Sequence, residues 1–437
     1  MKTNVAVQKA PIFTHEGARA AHTDLLSQLR RSVLACLLWE DTFYEGGVAI
    51  SERITALVKQ LPFAPVAALA VEARQKFHMR HVPLFLTALL LKARKGSGRE
   101  VGDLIYRVIQ RADEPAELLS LYWKDQPNAP LTKQLKVGLA RAIKKFDEYQ
   151  LAKYNRDAAI RLRDVLFLVH AKPADEALFK RLADDELEVP ETWEVMLSSG
   201  GNKKAVFEHL MLEGNLGGLA FLRNLRNMNE AGVDEGLMRL HAENVNVNRI
   251  LPFRYLSAAK VAPRMEDMLE AMMYRSIAQM EKLPGKTAIL IDHSGSMEHM
   301  LSAKSTINRF EAAAMLAVLV RELATQCRVF TFSDRCIEVP PRRGFAMVDA
   351  VKSVINPVGT MLGSAVRHVY QQFPECERII VITDEQSADR PPKPQGHGYI
   401  VNVAAYQNGV GHSDWVTISG FSEAIIDYIR ATEAEPS

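Results

Sequence analysis

The stretch Thr287-Ala-Ile-Leu-Ile-Asp292-His-Ser294-Gly-Ser296-Met297 decides the fold. Ala288 to Ile291 has the length and β-branched content of a strand buried on both faces, and the chain then turns abruptly to oxygen-bearing side chains. Asp292, Ser294 and Ser296 alternate along one turning loop and can aim at one point. Hard cations such as Mg²⁺ take oxygen ligands in near-octahedral geometry at about 2.0–2.1 Å and keep some water. Three loop oxygens do not fill that shell, so further ones are expected from other strand ends. Two places qualify: Gly359-Thr360, which opens a helix-like stretch, and Asp384, which closes the apolar run Arg378-Ile-Ile-Val-Ile-Thr-Asp384. The expectation is a Mg²⁺ site built from Asp292, Ser294, Ser296, Thr360 and Asp384 at the carboxyl edge of one sheet, where open α/β sheets bind ligands. An aspartyl nucleophile of phosphatase type would want a second acid two residues on, and Ser294 stands there instead.

Outward from this strand the chain divides in two. Beyond Glu281-Lys-Leu-Pro284-Gly285-Lys286 the pattern alternates strands (287–291, 328–333, 335–339, 378–383, 398–405, 414–418) with helices (307–324, 346–354, 361–373, 421–431). That order predicts a mainly parallel sheet covered on both faces. Before it, residues 1–18 read as an arm. A 3.6-period stripe follows through Leu25, Leu26, Leu29, Val33, Leu34, Leu37 and Leu38, with Arg30 and Arg31 on or beside it. Amphipathic segments then succeed one another at 49–61, 64–77, 82–95, 100–111, 114–123, 131–148, 158–169, 174–184, 190–199, 202–212, 215–227, 233–241, 250–259 and 264–281. Pro, Gly or short polar links bound them. No useful strand alternation precedes Thr287. A long run of helix pairs suggests a superhelical, HEAT-like stack over residues 1–283 and an α/β domain over 284–437.

The 437 residues allow two or three domains, and 48% apolar content is ordinary for a globular chain. The formal charge is +2, with the basic excess in the first 280 residues and an acidic excess after them. An anionic partner for the helical part is compatible with that asymmetry. Cys36, Cys327, Cys336 and Cys376 are scattered without Cys-x-x-Cys spacing and read as reduced thiols. No secretory pattern opens the chain, and Leu84–Leu91 is too short to span a bilayer, so a cytoplasmic location without membrane attachment is expected.

Cations concentrate in the middle of the helical part. Lys133, Lys136, Arg141, Lys144 and Lys145 share a helix with the apolar set Leu131, Leu135, Leu139, Ile143 and Phe146. Alone, that face reads as solvated. Beside it run Lys153-Tyr154, Arg156, Arg161, Arg163 and His170-Ala-Lys172-Pro173; Trp123-Lys124 and Arg74 to His81 offer similar chemistry upstream. Cations with a Tyr and a His supply the phosphate contacts and stacking that single-stranded nucleic acid binding needs. Alone, His170 next to Val165-Leu-Phe-Leu-Val169 reads as a core or capping histidine.

Two resemblances join these observations. Asp-x-Ser-x-Ser, a distant Thr after Gly, and Thr-Asp closing a strand resemble the metal-ion-dependent adhesion site of von Willebrand factor A domains. A HEAT-like array followed by such a domain resembles the TROVE-module RNA-binding proteins, the Ro autoantigen family and its bacterial orthologues, over roughly residues 20 to 430. The similar segments are Gln28-Leu-Arg30-Arg31, Thr42-Phe-Tyr44, Lys153-Tyr154 seventeen residues before His170, Lys172-Pro173, Phe221-Leu-Arg-Asn-Leu225 and Arg249-Ile-Leu-Pro-Phe253.

The resemblance implies a monomeric helical ring joined by a doubly wound, Rossmann-like A domain. It implies binding of single-stranded 3′ ends of misfolded or damaged non-coding RNA in the central hole and of small Y-like RNA outside, in RNA quality control. By that likeness Lys153 and His170 match RNA-contact positions; Arg156 and Arg161 are nearby candidates, as are Arg30 and Arg31 near the hole and Lys124. A 3′-exoribonuclease such as polynucleotide phosphorylase is the implied protein partner. No catalytic arrangement stands out, so recognition without chemistry is expected. The rival reading is a Mg²⁺-dependent protein-adhesion scaffold of an ATPase-linked assembly that binds no RNA.

Overall fold

The computed structural model describes residues 12–14, 16–20, 24–34, 47–96, 98–155, 158–172, 175–198, 200–248, 250, 252–300, 306–354, 358–403, 414–419 and 424–434. Arg156, Thr42 to Tyr44, Pro173 and Arg249 lie outside them. The chain forms two compact units: residues 51–250 with 258–272, and residues 1–50 with 251–257 and 273–437.

The second of these units holds the sheet. A short antiparallel hairpin, β1 (Ile12–Phe13) and β2 (Arg19–Ala20), precedes helix α1 (Leu25–Leu34). The arm expected over residues 1–18 thus contains paired backbone. The helices α2 (Gly47–Gln60), α3 (Phe63–Gln75), α4 (His81–Lys92), α5 (Arg99–Val108), α6 (Glu114–Trp123), α7 (Lys133–Ile143), α8 (Glu148–Tyr154), α9 (Leu162–Val169), α10 (Glu176–Asp184), α11 (Trp193–Ser198), α12 (Lys203–Leu212), α13 (Gly218–Glu230), α14 (Glu235–Asn244), α15 (Pro252–Val261) and α16 (Glu266–Ile277) follow. Then come β3 (Leu283–Asp292), α17 (Arg309–Leu323), β4 (Ala324–Phe332), β5 (Cys336–Glu338), α18 (Gly344–Val354), α19 (Leu362–Gln372), β6 (Arg378–Thr383), β7 (His397–Asn402), β8 (Val416–Ser419) and α20 (Ala424–Ala434).

The sheet order is β5-β4-β3-β6-β7-β8, parallel throughout except for β5 against β4. The opening stretch is its centre: Ala288 through Ile291 are fully buried, and β6 is buried along its whole length. Strand order reverses between β3 and β6, and Ile291 lies opposite Ile382 there, so the loops after both strands leave one edge side by side. α17 is started by a capping box, Asn308 Oδ1 accepting from Glu311 N at 2.8 Å while Asn308 N donates to the Glu311 carboxylate at 3.1 Å. It is buried on nearly every side.

In the helical unit the helices pack mostly on their successor or the next but one: α3 on α4 and α5, α4 on α6, α5 on α7, α7 on α9, α12 on α14. Such stacking by neighbours is the solenoid pattern. The helix expected over 131–148 ends at Ile143, and a helix that was not expected, α8, starts at Glu148 on the capping box of Asp147 and Gln150. α9 starts at Leu162 rather than 158, where the Asp164 carboxylate accepts from Arg161 N at 2.8 Å. No described helix is long and apolar enough to cross a membrane, and Cys327, Cys336 and Cys376 are free thiols.

Candidate metal centre and basic groove

Each strand end delivers its oxygen because the run before it is locked in the sheet. Asp292, Ser294, Ser296, Thr360 and Asp384 are all buried. Ser294 N donates to Asp292 Oδ1 at 2.9 Å, the Ser294 and Ser296 hydroxyls lie 3.2 Å apart, and Ser296 Oγ donates to Asp384 Oδ2 at 2.6 Å. The Thr383 hydroxyl donates to Asp292 Oδ2. The loops after β3 and β6 are therefore joined side chain to side chain. Thr360 is held to the loop after β6 through its backbone: its carbonyl accepts from Ala388 N at 2.8 Å and from Ser387 Oγ at 3.0 Å. Ser333 Oγ, in turn, accepts from Val358 N at 2.9 Å and Gly359 N at 3.1 Å, fixing the approach to Thr360.

Burial, and then the charge of Asp384, push the Asp292 carboxyl well above the ordinary aspartate range. A divalent cation between these groups would relieve both effects. Among the described residues no group of three or more His, Cys, Asp and Glu converges, so the donors are two carboxylates with hydroxyls. That all-oxygen set fits Mg²⁺ rather than a softer metal. His293 stays outside the set: its ring stacks on Phe310 at 3.9 Å, and Nε2 lies 3.1 Å from the Glu298 carboxylate.

The cations expected to meet RNA separate into distinct environments. His170 caps α9 in the left-handed conformation, φ 49°, and is exposed. With Lys172 it faces the solvent side of α7, where Lys133, Lys136, Arg141 and Lys144 recur at helical spacing. Together with Leu131, Val137, Ala140 and Val169 they line a groove of about 550 Å³, and no acidic residue lines it. α7 sits there because its other face, Leu135, Leu139, Ala142 and Ile143, is buried. Gly138 also lets its backbone reach α5: a Cβ there would stand 2.8 Å from Ile105 Cβ. Lys145 turns away from the groove. Its ammonium caps the C-terminal end of α5, donating to the Tyr106 carbonyl and to Ile109 O at 2.8 Å, over the Tyr106 ring.

Lys153 lines a different cleft, of about 520 Å³, with Asn155, Asp185, Glu188, Thr192 and Glu194, and carboxylates are prominent in it. Arg161 lies 3.6 Å and Arg163 3.7 Å from the Asp185 carboxylate. Lys124 is exposed just past α6, and Arg30 is half-buried on α1. The expectation for Arg31 needs correction. Its guanidinium is 2% exposed, with Nη1 at 2.9 Å from both oxygens of Glu385, itself fully buried. A group so enclosed presents nothing to a phosphate. Sequence reading also missed Thr383, Glu385 and Ser387. The polar run Thr383-Asp-Glu-Gln-Ser387 behind an apolar strand was the available signal.

Residues 179–322, from α10 into α17, match the family model of the TROVE domain. The chain is 26% identical over 249 residues to telomerase protein component 1 of Mus musculus, covering 53% of this chain and 9% of that protein. It is 39% identical over 92 residues to the Rattus norvegicus protein of the same name, covering 20% of this chain and 4% of the relative. The chain spans less than a tenth of the length of these relatives. The crystal structure of the Deinococcus radiodurans Ro (RSR) protein matches with a TM-score of 0.61 at 15% identity, covering 93% of this chain and 99% of that one. The match to the TROVE domain is confined to residues 179–322, and the shared helical and α/β layout gives the chain the fold of the Deinococcus radiodurans Ro (RSR) protein.

Proposed function

We propose that the chain binds non-coding RNA without altering it covalently. The groove between α7 and the end of α9 carries this reading: five cations and His170, with no carboxylate among the lining residues. Arg141 pairs with Asp103, which does not line the groove, while the groove's lysines keep their field for a ligand, and a row of lysines at helical spacing meets successive phosphates. His170 adds an exposed ring at one end, suited to stacking or to donating to a phosphate. The apolar floor of Leu131, Val137 and Ala140 adds contact without sequence preference.

The RNA we infer is a misfolded or damaged non-coding molecule held by its single-stranded 3′ end, with small Y-like RNA on the basic surface. The HEAT-like helices do the holding, in RNA quality control in the cytoplasm. The A domain, with Mg²⁺ held by Asp292, Ser294, Ser296, Thr360 and Asp384, would dock a carboxylate of a protein partner; a 3′-exoribonuclease such as polynucleotide phosphorylase fits that place. When bound, the cation supplies a positive point for such a carboxylate.

Binding of labelled hairpin RNA with and without a 3′ overhang, titrated in salt, tests the proposal. Five phosphate contacts on a single strand predict a slope of log K against log salt of about −3.5. Equal affinity for blunt and overhanging hairpins would sink the 3′-end selection. Affinity unchanged from low to high salt, or in Lys136→Ala/Lys144→Ala, would sink the groove. The scaffold reading has one observation in its favour: Val358 is 72% exposed two residues before buried Thr360, an apolar rim beside an oxygen centre. Under that reading Asp292→Ala abolishes partner capture and the lysine variants do nothing. Under ours Asp292→Ala leaves RNA affinity intact.

A further inference from the structure

The N-terminal segment 12–34 belongs to the same compact unit as the sheet and touches the oxygen-bearing loops at two independent points. At the first, Arg31 of α1 reaches Glu385 across 354 residues of chain, one nitrogen serving both carboxylate oxygens at 2.9 Å. Glu385 directly follows Asp384, and its backbone is left-handed, φ 61°, a conformation costly for a residue with a Cβ. Its N–H donates to Thr383 Oγ1 at 3.0 Å, and that hydroxyl donates to Asp292. The strained turn that aims Asp384 is thus closed by Arg31 on one side and by the Asp292 partner on the other.

At the second point Thr14, in the turn of the β1–β2 hairpin, donates from Oγ1 to the Ser387 carbonyl at 2.7 Å. The same oxygen accepts from Ala18 N at 3.0 Å, and Ala18 is packed in the apolar core of the sheet. Ser387 is the residue whose hydroxyl donates to the Thr360 carbonyl. One contact of the segment therefore bears on Asp384 and the other on Thr360, the two donors that the β3 loop does not supply.

We propose that the β1–β2 hairpin and α1 form a clasp that positions the metal centre, with Arg31 and Thr14 as positioning residues for Asp384 and Thr360. This rests on the reading of that centre as a divalent-cation site. Docking of the clasp and binding of the cation are then linked: each favours the other by the same factor. A buried ion pair is a poor source of net stability but a good one of fixed geometry, because either partner alone is strongly disfavoured in the interior.

Mn²⁺ binding to the full chain, followed by electron paramagnetic resonance, tests this alongside hydrogen exchange of residues 12–34. Arg31→Met with Glu385→Met removes the pair without leaving a buried charge, so the chain folds. The proposal expects its Mn²⁺ affinity to fall at least tenfold, Thr14→Val to lower it severalfold, and Arg31→Lys, whose ammonium can also serve both oxygens, to recover part of it. It expects Mn²⁺ to slow exchange in residues 24–34 of the wild-type chain. A purely structural pair would lower the melting temperature and leave affinity unchanged. Wild-type Mn²⁺ affinity in both the double variant and Thr14→Val overturns the clasp alone. Absence of Mn²⁺ binding by the wild-type chain overturns the metal reading and the clasp together.

Discussion

The centre at the sheet edge and the groove on α7 both concentrate charge, and they use it in opposite ways. At the sheet edge Asp292, Asp384, Glu385 and Arg31 are withdrawn from water. Each desolvated charge there costs several kcal/mol unless matched, so hydrogen bonds and ion pairs hold every group to a defined position. On α7, Lys133 and Lys144 stand exposed and Lys136 half-exposed, with no carboxylate in the groove. Cations there cost little to keep, and their field remains available to an incoming polyanion. Buried charge fixes geometry, whereas exposed uncompensated charge attracts. Lys145, one residue beyond Lys144, crosses between the regimes, since it is spent on carbonyls of α5.

The sharpest way to break this contrast is to unbalance the buried pair. Glu385→Gln removes the charge that Glu385 sets against the Arg31 guanidinium, and the α/β unit should lose about 3–5 kcal/mol in urea denaturation, with little dependence on salt. A loss under 1 kcal/mol would mean that water already reaches the pair. Next in size is Gly138→Ala, which drives a methyl into Ile105 and should destabilise the helical unit by about 1–3 kcal/mol. An unchanged melting curve would show that α7 is free to shift off α5.

On the exposed side, Lys136→Ala with Lys144→Ala should leave stability within about 0.5 kcal/mol of wild type. RNA affinity should weaken about tenfold and the salt slope should flatten by about 1.4, two contacts' worth. Altered stability with unaltered RNA binding would reverse the roles of the two regions.

The smallest effect concerns Lys145, whose ammonium is pushed down to about 8, chiefly by burial. With the folded pKa below the unfolded value near 10.5, the unfolded chain holds more protons between them. Stability therefore rises as pH goes from about 8 to 10.5, and the contribution is already lost below the folded pKa. Lys145→Met should remove that rise when the two chains' melting temperatures are compared across the range. A parallel pH dependence would show that Lys145 is hydrated.

Much of this was legible beforehand for reasons of period and length. The apolar runs at 287–291 and 378–383 have no polar face to show water, so they belong at the centre of a sheet, and β3 and β6 are there. Helices α3 to α7 begin close to where capping residues and prolines place them, because a cap acts within four residues. Asp292, Ser294, Ser296 and Asp384 were readable together because each terminates or follows a strand-like run, whereas Thr360 follows the helix α18. What failed was the partner of each cation. Arg31 stood beside a helical stripe in either reading, and its burial depends on a glutamate 354 residues away. Lys153 and His170, grouped by nearness in sequence, line separate clefts because Asp147 and Asp164 start new helices between α7 and His170.

By itself the sequence determined the two architectures, the order of elements and the donor chemistry at the sheet edge, since these follow from local periodicity and from which atoms a residue carries. Only the tertiary structure decided which charges are buried and matched and which are left to the solvent. That choice depends on the dielectric and on the counter-charge around each group, and both are set by residues far away along the chain.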